Sequence, residues 1–407
     1  MKIDFWTSTE YSGFMVGLMR ELNLLGFDAS QRFLITESSY RSARSGFARI
    51  YLRFRQYVAY PIQVIFVLIW QKLNGKRRDC IVVSTNTFYV PLLATFFHSQ
   101  VVHLVYDLFP EAMVHSGKLD SESLKAKFIR WIAGKTLKRA RLNIFLGERL
   151  KSYVDSIHGD CGEYYIIPVG ADHELFPEQI VFGDPSRSAN PNESVSNRVP
   201  QVLYCGNFGN MHESQTLFDF FSYVASKFNT EGAINGPAQE TDNTLPDTFP
   251  KFLFHCSGPK RGELEMQLKL YPEAVSSMVK LGGGLGQDEW IHILVNCDIA
   301  LVTMVPGAER VVMPSKTYSA MMAGQAILAI APEDSDLVDT IKLSNSGWWI
   351  EPSDVGRLKK TLKDIRLDPE LLMQKRANAY KYAHENFGQD ALALLWRDCF
   401  SSLKLVS

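Results

Sequence analysis

The sequence predicts an α/β protein built from two Rossmann-like domains, each around its own parallel sheet. Three observations carry that expectation. Short apolar runs alternate with longer segments of helical period, the pattern left by βαβ units. A polar stretch at 182–200, rich in Ser, Asn, Pro and Arg, separates two such series. The chain has 407 residues, 46% of them hydrophobic. At roughly 100 to 200 residues per domain that suits two or three domains and excludes disorder, collagen-like repeats and a disulfide-stapled miniprotein.

In the first series, strands are expected at 3–6, 33–35, 81–84, 101–106, 143–146 and 165–167, with helices at 15–25, closed by Gly26, and at 121–139. The second series places strands at 202–205, 252–255, 299–303, 326–330 and 348–350, with a polar surface insertion at 229–250. The resulting division is an N-terminal domain at 1–180, a linker at 181–200, a C-terminal domain at 201–386 and a final helix at 387–407 expected to pack back toward the first domain.

A formal net charge of -1 conceals an asymmetry. Between Glu37 and Asp79 there is no acid, yet Arg41, Arg44, Arg49, Arg53, Arg55, Lys72, Lys76, Arg77 and Arg78 all fall there. Such a run implies a localised anionic partner. Within it Phe47, Ile50, Phe54 and Val58 share one helical face and Arg49, Arg53 and Gln56 the other, a basic amphipathic helix suited to an anionic membrane surface, with Arg49, Arg53 and Arg55 as docking cations. A crossover helix laying its apolar face on its own sheet is the competing reading. The apolar stretch 58–70 contains Pro61 and Gln63 and falls short of the roughly 20 residues of a membrane span. Six cysteines lie far apart with no CxxC pair, as expected for reduced thiols, and the first residues lack a signal-peptide core. A cytoplasmic protein, peripheral on the cytoplasmic face of the membrane, is the expectation.

Four segments of the second half have residue types that hold phosphates. Tyr204-Cys205-Gly206-Asn207-Phe208-Gly209 runs from a strand into a glycine turn before a helix, where backbone N–H groups can approach an anion. Ser257-Gly258-Pro259-Lys260-Arg261-Gly262 follows the next strand with a pair of cations. Leu281-Gly282-Gly283-Gly284-Leu285-Gly286-Gln287 exposes backbone that can hydrogen-bond a flat base, or is simply a flexible loop. Met313-Pro314-Ser315-Lys316-Thr317-Tyr318-Ser319 opens a helix that Ser315 is expected to cap, with Lys316 in its first turn. A lysine there opposes the helix dipole, a cost that makes sense where an anion binds, although a solvated lysine on an ordinary capped helix has the same sequence.

Together these segments resemble the large group-1 family of retaining, nucleotide-sugar-dependent glycosyltransferases with the GT-B fold. The order VLYCGNFG, CSGPKRGELE, WIHILVNCDIALV and MPSKTYSAMMAGQAI matches that family, as do HLVYDLFPEAM and YYIIPVGADHELF in the first half. The resemblance implies two Rossmann-like domains facing each other across a cleft and no metal or other cofactor, the activated sugar arriving as a UDP- or GDP-linked substrate. It places Gly206, Asn207 and Gly209 beside the donor phosphates, Lys260, Arg261 and Lys316 at the diphosphate, and Gly283 and Leu285 near the base; Ser315, Tyr318 and Ser319 complete the donor set. The P-x-G-x-D pattern puts Gly170 and Asp172 on the acceptor side. Two departures stand out: paired glutamates common in the family are replaced by Val311 and Ser319, and the arginine and lysine often seen after the first glycine turn by Asn207 and Met211.

In the first half Asp107 and Glu111 follow a strand and so face the crevice at its carboxyl end, where a carboxylate can receive or orient an acceptor hydroxyl. A cap before Pro110 is the structural alternative for Asp107, and His103, inside the strand, reads as structural. The turn containing Ser12 and Gly13 points into the same crevice but lacks GxGxxG spacing, against a dinucleotide oxidoreductase. HExxH, GxSxG and Walker A sequences are absent, as is the aromatic pattern of a nucleic-acid binder. The expected activity is transfer of a sugar to a hydroxyl of a lipid-linked or polysaccharide acceptor in cell-surface glycan synthesis. An epimerase of the same architecture and a catalytically weakened binding or scaffold protein are the alternatives.

Overall fold

The structure is a computed structural model describing residues 1–10, 14–36, 38–39, 46–182, 199–229 and 248–404. Ser12, Gly13, Arg41 and Arg44, and most of the expected linker and insertion, lie outside the described residues. The chain forms two compact units. The first comprises Met1–Asp172, Arg310–Met313 and the chain from Asn386 onward; the second comprises His173–Glu309 and Pro314–Glu385.

The first unit holds six parallel strands, β1 (Lys2–Trp6), β2 (Asp28–Arg32), β3 (Cys80–Ser84), β4 (Val101–Val105), β5 (Leu142–Phe145) and β6 (Tyr164–Ile166), in the order β2-β1-β3-β4-β5-β6. On one face Phe5 packs edge-on against Trp396 and Phe400 of the Gln389–Lys404 helix, at centroid distances of 5.1 and 6.1 Å, beside the Phe14–Leu24 helix. On the other, Trp6, Ile81 and Val83 meet Tyr60, Val64 and Leu68 of the Tyr60–Leu73 helix and Val90 and Ala94 of the Val90–Phe97 helix. The strand expected at 33–35 is a correction: β2 is the polar run Asp28–Arg32, and Ile35 makes only an isolated bridge to Thr9. An edge strand is held by main-chain bonds to one neighbour and buries little, so hydrophobic periodicity passes over it.

The first part of the basic segment does not fit the crossover reading. A continuous helical path runs through Gly46–Phe54, a π-helical stretch Arg55–Ala59 and Tyr60–Leu73. Only the last part lies on the sheet. No residue of Gly46–Phe54 is buried, and Phe47 and Ile50 are 82% and 68% exposed, so the apolar face does not cover the sheet there. Arg55 is withdrawn from the docking set, because its guanidinium donates to the Leu34 carbonyl. Among the described residues no helix is long and apolar enough to cross a membrane.

The second unit repeats the scheme with β7 (Gln201–Asn207), β8 (Lys251–Ser257), β9 (Val279–Gly282), β10 (Ile299–Thr303), β11 (Ala326–Ile330) and β12 (Gly347–Ile350), ordered β12-β11-β10-β7-β8-β9 and all parallel. Phe220, Phe221, Phe249 and Phe252 form an aromatic knot in its core, where truncating one to alanine costs about 3–5 kcal/mol. β9, another short edge strand, takes up the first part of the segment read as a glycine loop, pairing Gly282 with His255. In each sheet the order reverses once, between β1 and β3 and between β7 and β10, and open α/β sheets bind ligands beyond the carboxyl ends at that point.

Candidate functional site

At the β7/β10 reversal the sequence brings together a half-buried cation and two glycine turns. Gly206, at the end of β7, has φ +126°, a conformation glycine adopts without strain. Gly258, at the end of β8, has φ +101°, and a Cβ there would lie 2.5 Å from Asn207 Oδ1 and 2.7 Å from the Phe208 carbonyl oxygen. The two turns therefore pack directly on one another, clasped by Phe208 N–H donating to the Ser257 carbonyl at 2.6 Å and Lys260 N–H to the Phe208 carbonyl at 3.1 Å. Gly206 and Asn207 are exposed at the strand end.

Lys316 starts the short Lys316–Met322 helix. Its ammonium donates to Tyr204 Oη at 2.6 Å and lies 3.9 Å from the centre of the same ring. Tyr204 in turn donates to the Asn207 carbonyl at 2.8 Å, which leaves its oxygen lone pairs facing the lysine. Its ring is wedged between Phe208 and Phe254. Among the described residues no carboxylate pairs with Lys316; its near ionisable neighbours are the Cys205 and Cys256 thiols. Burial without a counter-anion pulls the ammonium down to about 7. His212 is held neutral, its value lowered to about 4 by burial and then by the positive charge of Lys316. Its Nδ1 lies 2.9 Å from the Thr303 carbonyl, which can only accept, so Nδ1 carries the proton.

Beside Lys316 a pocket opens between the sheet and two helices, lined by Cys205, Trp290, Leu294, Lys316, Ser319 and Gln325 among others. Gln325 is fully buried and neither atom of its carboxamide has a partner. An uncompensated cation and an unpartnered carboxamide in an otherwise largely apolar pocket are arranged to receive an anionic group with hydrogen-bonding capacity.

Several expected donor residues are placed differently. Ser315 stands at the N-cap, but its side chain makes no capping bond, and the helix it precedes has only seven residues, so positive potential here comes from the ammonium. Tyr318 is 1% exposed and belongs to the core. Lys260 Nζ donates to the His212 carbonyl at 2.5 Å and to Ser214 Oγ at 3.0 Å. Arg261 is spent on the Cys256 and Gly282 carbonyls and on Glu265. These two cations knit the turns together, and Lys316 alone of the three lines the pocket. Gly282 is shaped by packing, since a Cβ would come 2.1 Å from the His255 ring, whereas Gly283 is exposed and Leu285 half-buried. Val311, at the first of the two departed positions, is fully buried, and Ser319, at the second, reaches the pocket. Sequence reasoning missed Tyr204, Trp290 and Gln325, which it read as ordinary strand and helix positions. A tyrosine just before a glycine turn was the available signal for the first.

In the first unit Asp107 follows β4, its N–H and that of Tyr106 sharing Thr85 Oγ1 at 3.3 and 3.0 Å. Burial raises its carboxyl, and it lines a small pocket with Thr85, His103 and Phe109. His103 is kept neutral, lowered to about 4 by burial, with Nδ1 3.0 Å from Asn143 Oδ1. Because the Asn143 amide already donates to the Leu137 and Cys161 carbonyls, its oxygen must be the acceptor. Glu111 is a correction to the expected pair of catalytic carboxylates: it is 3% exposed and its Oε1 accepts from Arg130 Nε at 2.7 Å, a tie between helices. Gly170 is also a packing residue, where a Cβ would strike the Phe387 carbonyl at 2.3 Å; Asp172 nearby is half-buried.

No family profile matches the chain. Among curated proteins, a probable glycosyltransferase WbjE of Pseudomonas aeruginosa is 25% identical over 297 residues, covering 72% of this chain and 67% of that protein. Among solved structures, the sucrose-phosphate synthase of Thermosynechococcus elongatus superposes with a TM-score of 0.68 at 15% identity, covering 100% of both chains. Anabaena HepE, solved with UDP-glucose, gives 0.66 at 14% identity over 99% of this chain and 100% of its own. At such identities the structural matches establish the fold.

Proposed function

We propose that this chain, a glycosyltransferase of the GT-B fold, moves one sugar from a UDP- or GDP-linked donor to a hydroxyl of a lipid-linked or polysaccharide acceptor in cell-surface glycan synthesis, with retention of anomeric configuration. The observation that carries this reading is the uncompensated Lys316 ammonium at the β7/β10 reversal, held by Tyr204 and lining a pocket. As the bond between sugar and phosphate breaks, negative charge grows on the departing diphosphate. A preoriented ammonium in a water-poor site stabilises that charge without reorganising. The exposed backbone of Gly206 and Asn207 adds donors beside it. Lys316 takes the part a cation cofactor would otherwise play, so the proposal includes no metal. Front-face attack with retention needs no protein nucleophile. Asp107, its carboxyl raised by burial, is suited to accept or orient the proton of the acceptor hydroxyl. A structural neighbour that holds UDP-glucose supports a nucleotide-sugar donor, and such a donor fits a cytoplasmic enzyme working at the cytoplasmic face.

Calorimetry with UDP, GDP and a panel of their sugars, followed by transfer assays, tests the proposal. Binding that depends on Lys316, with turnover toward an acceptor, is the expected result. Absence of binding to every nucleoside diphosphate and its sugars defeats it. Tight binding without turnover favours instead a binding subunit, the reading motivated by buried Val311 and by Ser319 where relatives carry glutamates.

A further inference from the structure

We propose that the first unit docks on an anionic lipid bilayer through the outer side of a layer of helices: Gly46–Phe54, Tyr60–Leu73, Val90–Phe97 and Leu124–Arg139. The last three already have a buried side. Val64 and Leu68, Val90 and Ala94, and Ala126 and Ile129 serve as the ordinary core-facing stripe. A surface helix with that stripe normally presents polar residues on its back. Here the backs are apolar as well: Phe66 and Leu73 are 67% and 80% exposed, Phe96 61%, and Leu124, Phe128 and Trp131 86%, 59% and 56%. Phe128 and Trp131 stack at 6.0 Å along one helix, and the Arg139 guanidinium lies 4.5 Å over Phe96, joining that helix to its neighbour. An exposed apolar surface of this extent marks an interaction site.

Charge selects the occupant. None of the four helices contains an acid, and Lys125, Lys127, Lys135 and Lys138 stand exposed among the aromatics of Leu124–Arg139, with Arg53 and Lys72 on the others. Aromatic and aliphatic side chains interleaved with exposed lysines and arginines match the boundary between acyl chains and anionic headgroups. Since no described helix is long and apolar enough to span a bilayer, the layer lies on it. The geometry also gives docking a purpose. Gln56 Nε2 donates to the Asn86 carbonyl at 2.8 Å and Thr87 Oγ1 to the Gln56 carbonyl at 3.3 Å, which fixes residue 56 at the carboxyl end of β3. Everything before it, the wholly unburied Gly46–Phe54, therefore overhangs that end of the sheet, the end at which Asp107 follows β4. A bilayer held there presents lipid-linked hydroxyls to the edge that carries the carboxylate. This deepens the acceptor side of the reading above, and its test does not depend on donor chemistry.

Sedimentation with phosphatidylglycerol-containing vesicles and with pure phosphatidylcholine vesicles tests the inference. The full chain is expected to bind the former, to lose binding as salt rises, and to ignore the latter. K127E/K135E/K138E is expected to weaken binding by about tenfold or more, and F128S/W131S and F47S/I50S to weaken it comparably. All these positions are exposed, and an unchanged circular dichroism spectrum and thermal midpoint in each variant show that the fold is intact. Absence of vesicle binding, or binding untouched by all three variants, overturns the inference. So does a concentration-dependent dimer that the same variants dissolve, which would make a second copy of the chain the occupant. A chain that binds vesicles but no nucleotide sugar sinks the functional proposal and leaves the docking surface standing.

Discussion

The two units are both six-stranded parallel sheets with one reversal of strand order, and they differ in what they place beyond the carboxyl ends of their strands and on their helices. The second sets a cation without a counter-charge beside β7 and β10, ringed by tyrosine, thiols and a neutral histidine. The first sets a carboxylate, Asp107, in a pocket with a neutral histidine, and covers one side of its sheet with helices that are apolar inside and out. In the second unit the large exposed apolar residues are fewer per helix: Met266 and Leu270 share one, while Leu343 and Leu367 stand on two others. Two six-stranded parallel sheets, each with one reversal of strand order, thus support opposite electrostatics and different surfaces, and chemistry follows the residues grafted on the scaffold rather than the scaffold.

That contrast can be broken most severely at Lys316. Lys316→Met is expected to lower kcat by about 10²–10³, the loss typical of one preoriented donor to a developing anion, while raising the thermal midpoint of the donor-free protein. The sign follows from linkage. The folded ammonium sits at about 7, below its ordinary value, so between those two values the unfolded chain binds more protons and wild-type stability rises with pH. The penalty is full below the folded value and gone above the unfolded one. In the variant that rise disappears; thermal melts across the range check it.

Asp107→Asn addresses the opposite charge. Transfer is expected to fall by about 10²-fold or more with donor affinity unchanged, as read by separate transfer and calorimetric assays. Equal loss of both would mean that Asp107 supports the fold rather than the acceptor. Donor binding should also report on the lysine through pH. The diphosphate of a nucleotide sugar does not titrate near neutrality, so affinity is expected to be flat below about 7 and to fall by up to about tenfold per pH unit above it, as Lys316 in the free protein loses its proton. Tyr204→Phe removes the acceptor that steadies the charged form and is expected to shift that break to lower pH and cost about tenfold in kcat. The smallest functional effect is expected at Glu111→Gln. It loosens the tie to Arg130 and lowers stability by about 1–3 kcal/mol, with activity per folded molecule retained, which separates Glu111 from Asp107.

Much of this was legible in the residues. The parallel strands of both sheets stand out because, buried on two faces, they read as continuous apolar runs. β2 and β9 did not, since an edge strand pairs on one side and buries little; the polar Asp28–Arg32 and the glycine-ended Val279–Gly282 have no hydrophobic signature. At the site, Lys316 and the glycine turns were marked by residue type and spacing. The reassignment of Lys260 and Arg261 to carbonyls was invisible, because a cation after a strand has the same spelling whether it meets a phosphate or a neighbouring loop. The basic face of Gly46–Phe54 was evident from its period, but its partner surface on Leu124–Arg139 was read only as a crossover helix. Period identifies a stripe that is buried; it does not reveal that the opposite side is apolar and uncovered.

By itself, then, the order of residues determined the α/β class, the division into two sheets, the acid-free basic segment and the lysine at the start of a helix, because each depends on neighbours a few positions apart in the chain. Only the tertiary structure decided which charges are spent on the fold and which remain for a ligand. That outcome depends on partners distant in sequence, as when Tyr204 meets Lys316 and Glu111 meets Arg130, and the burial of a charge is a property of everything packed around it.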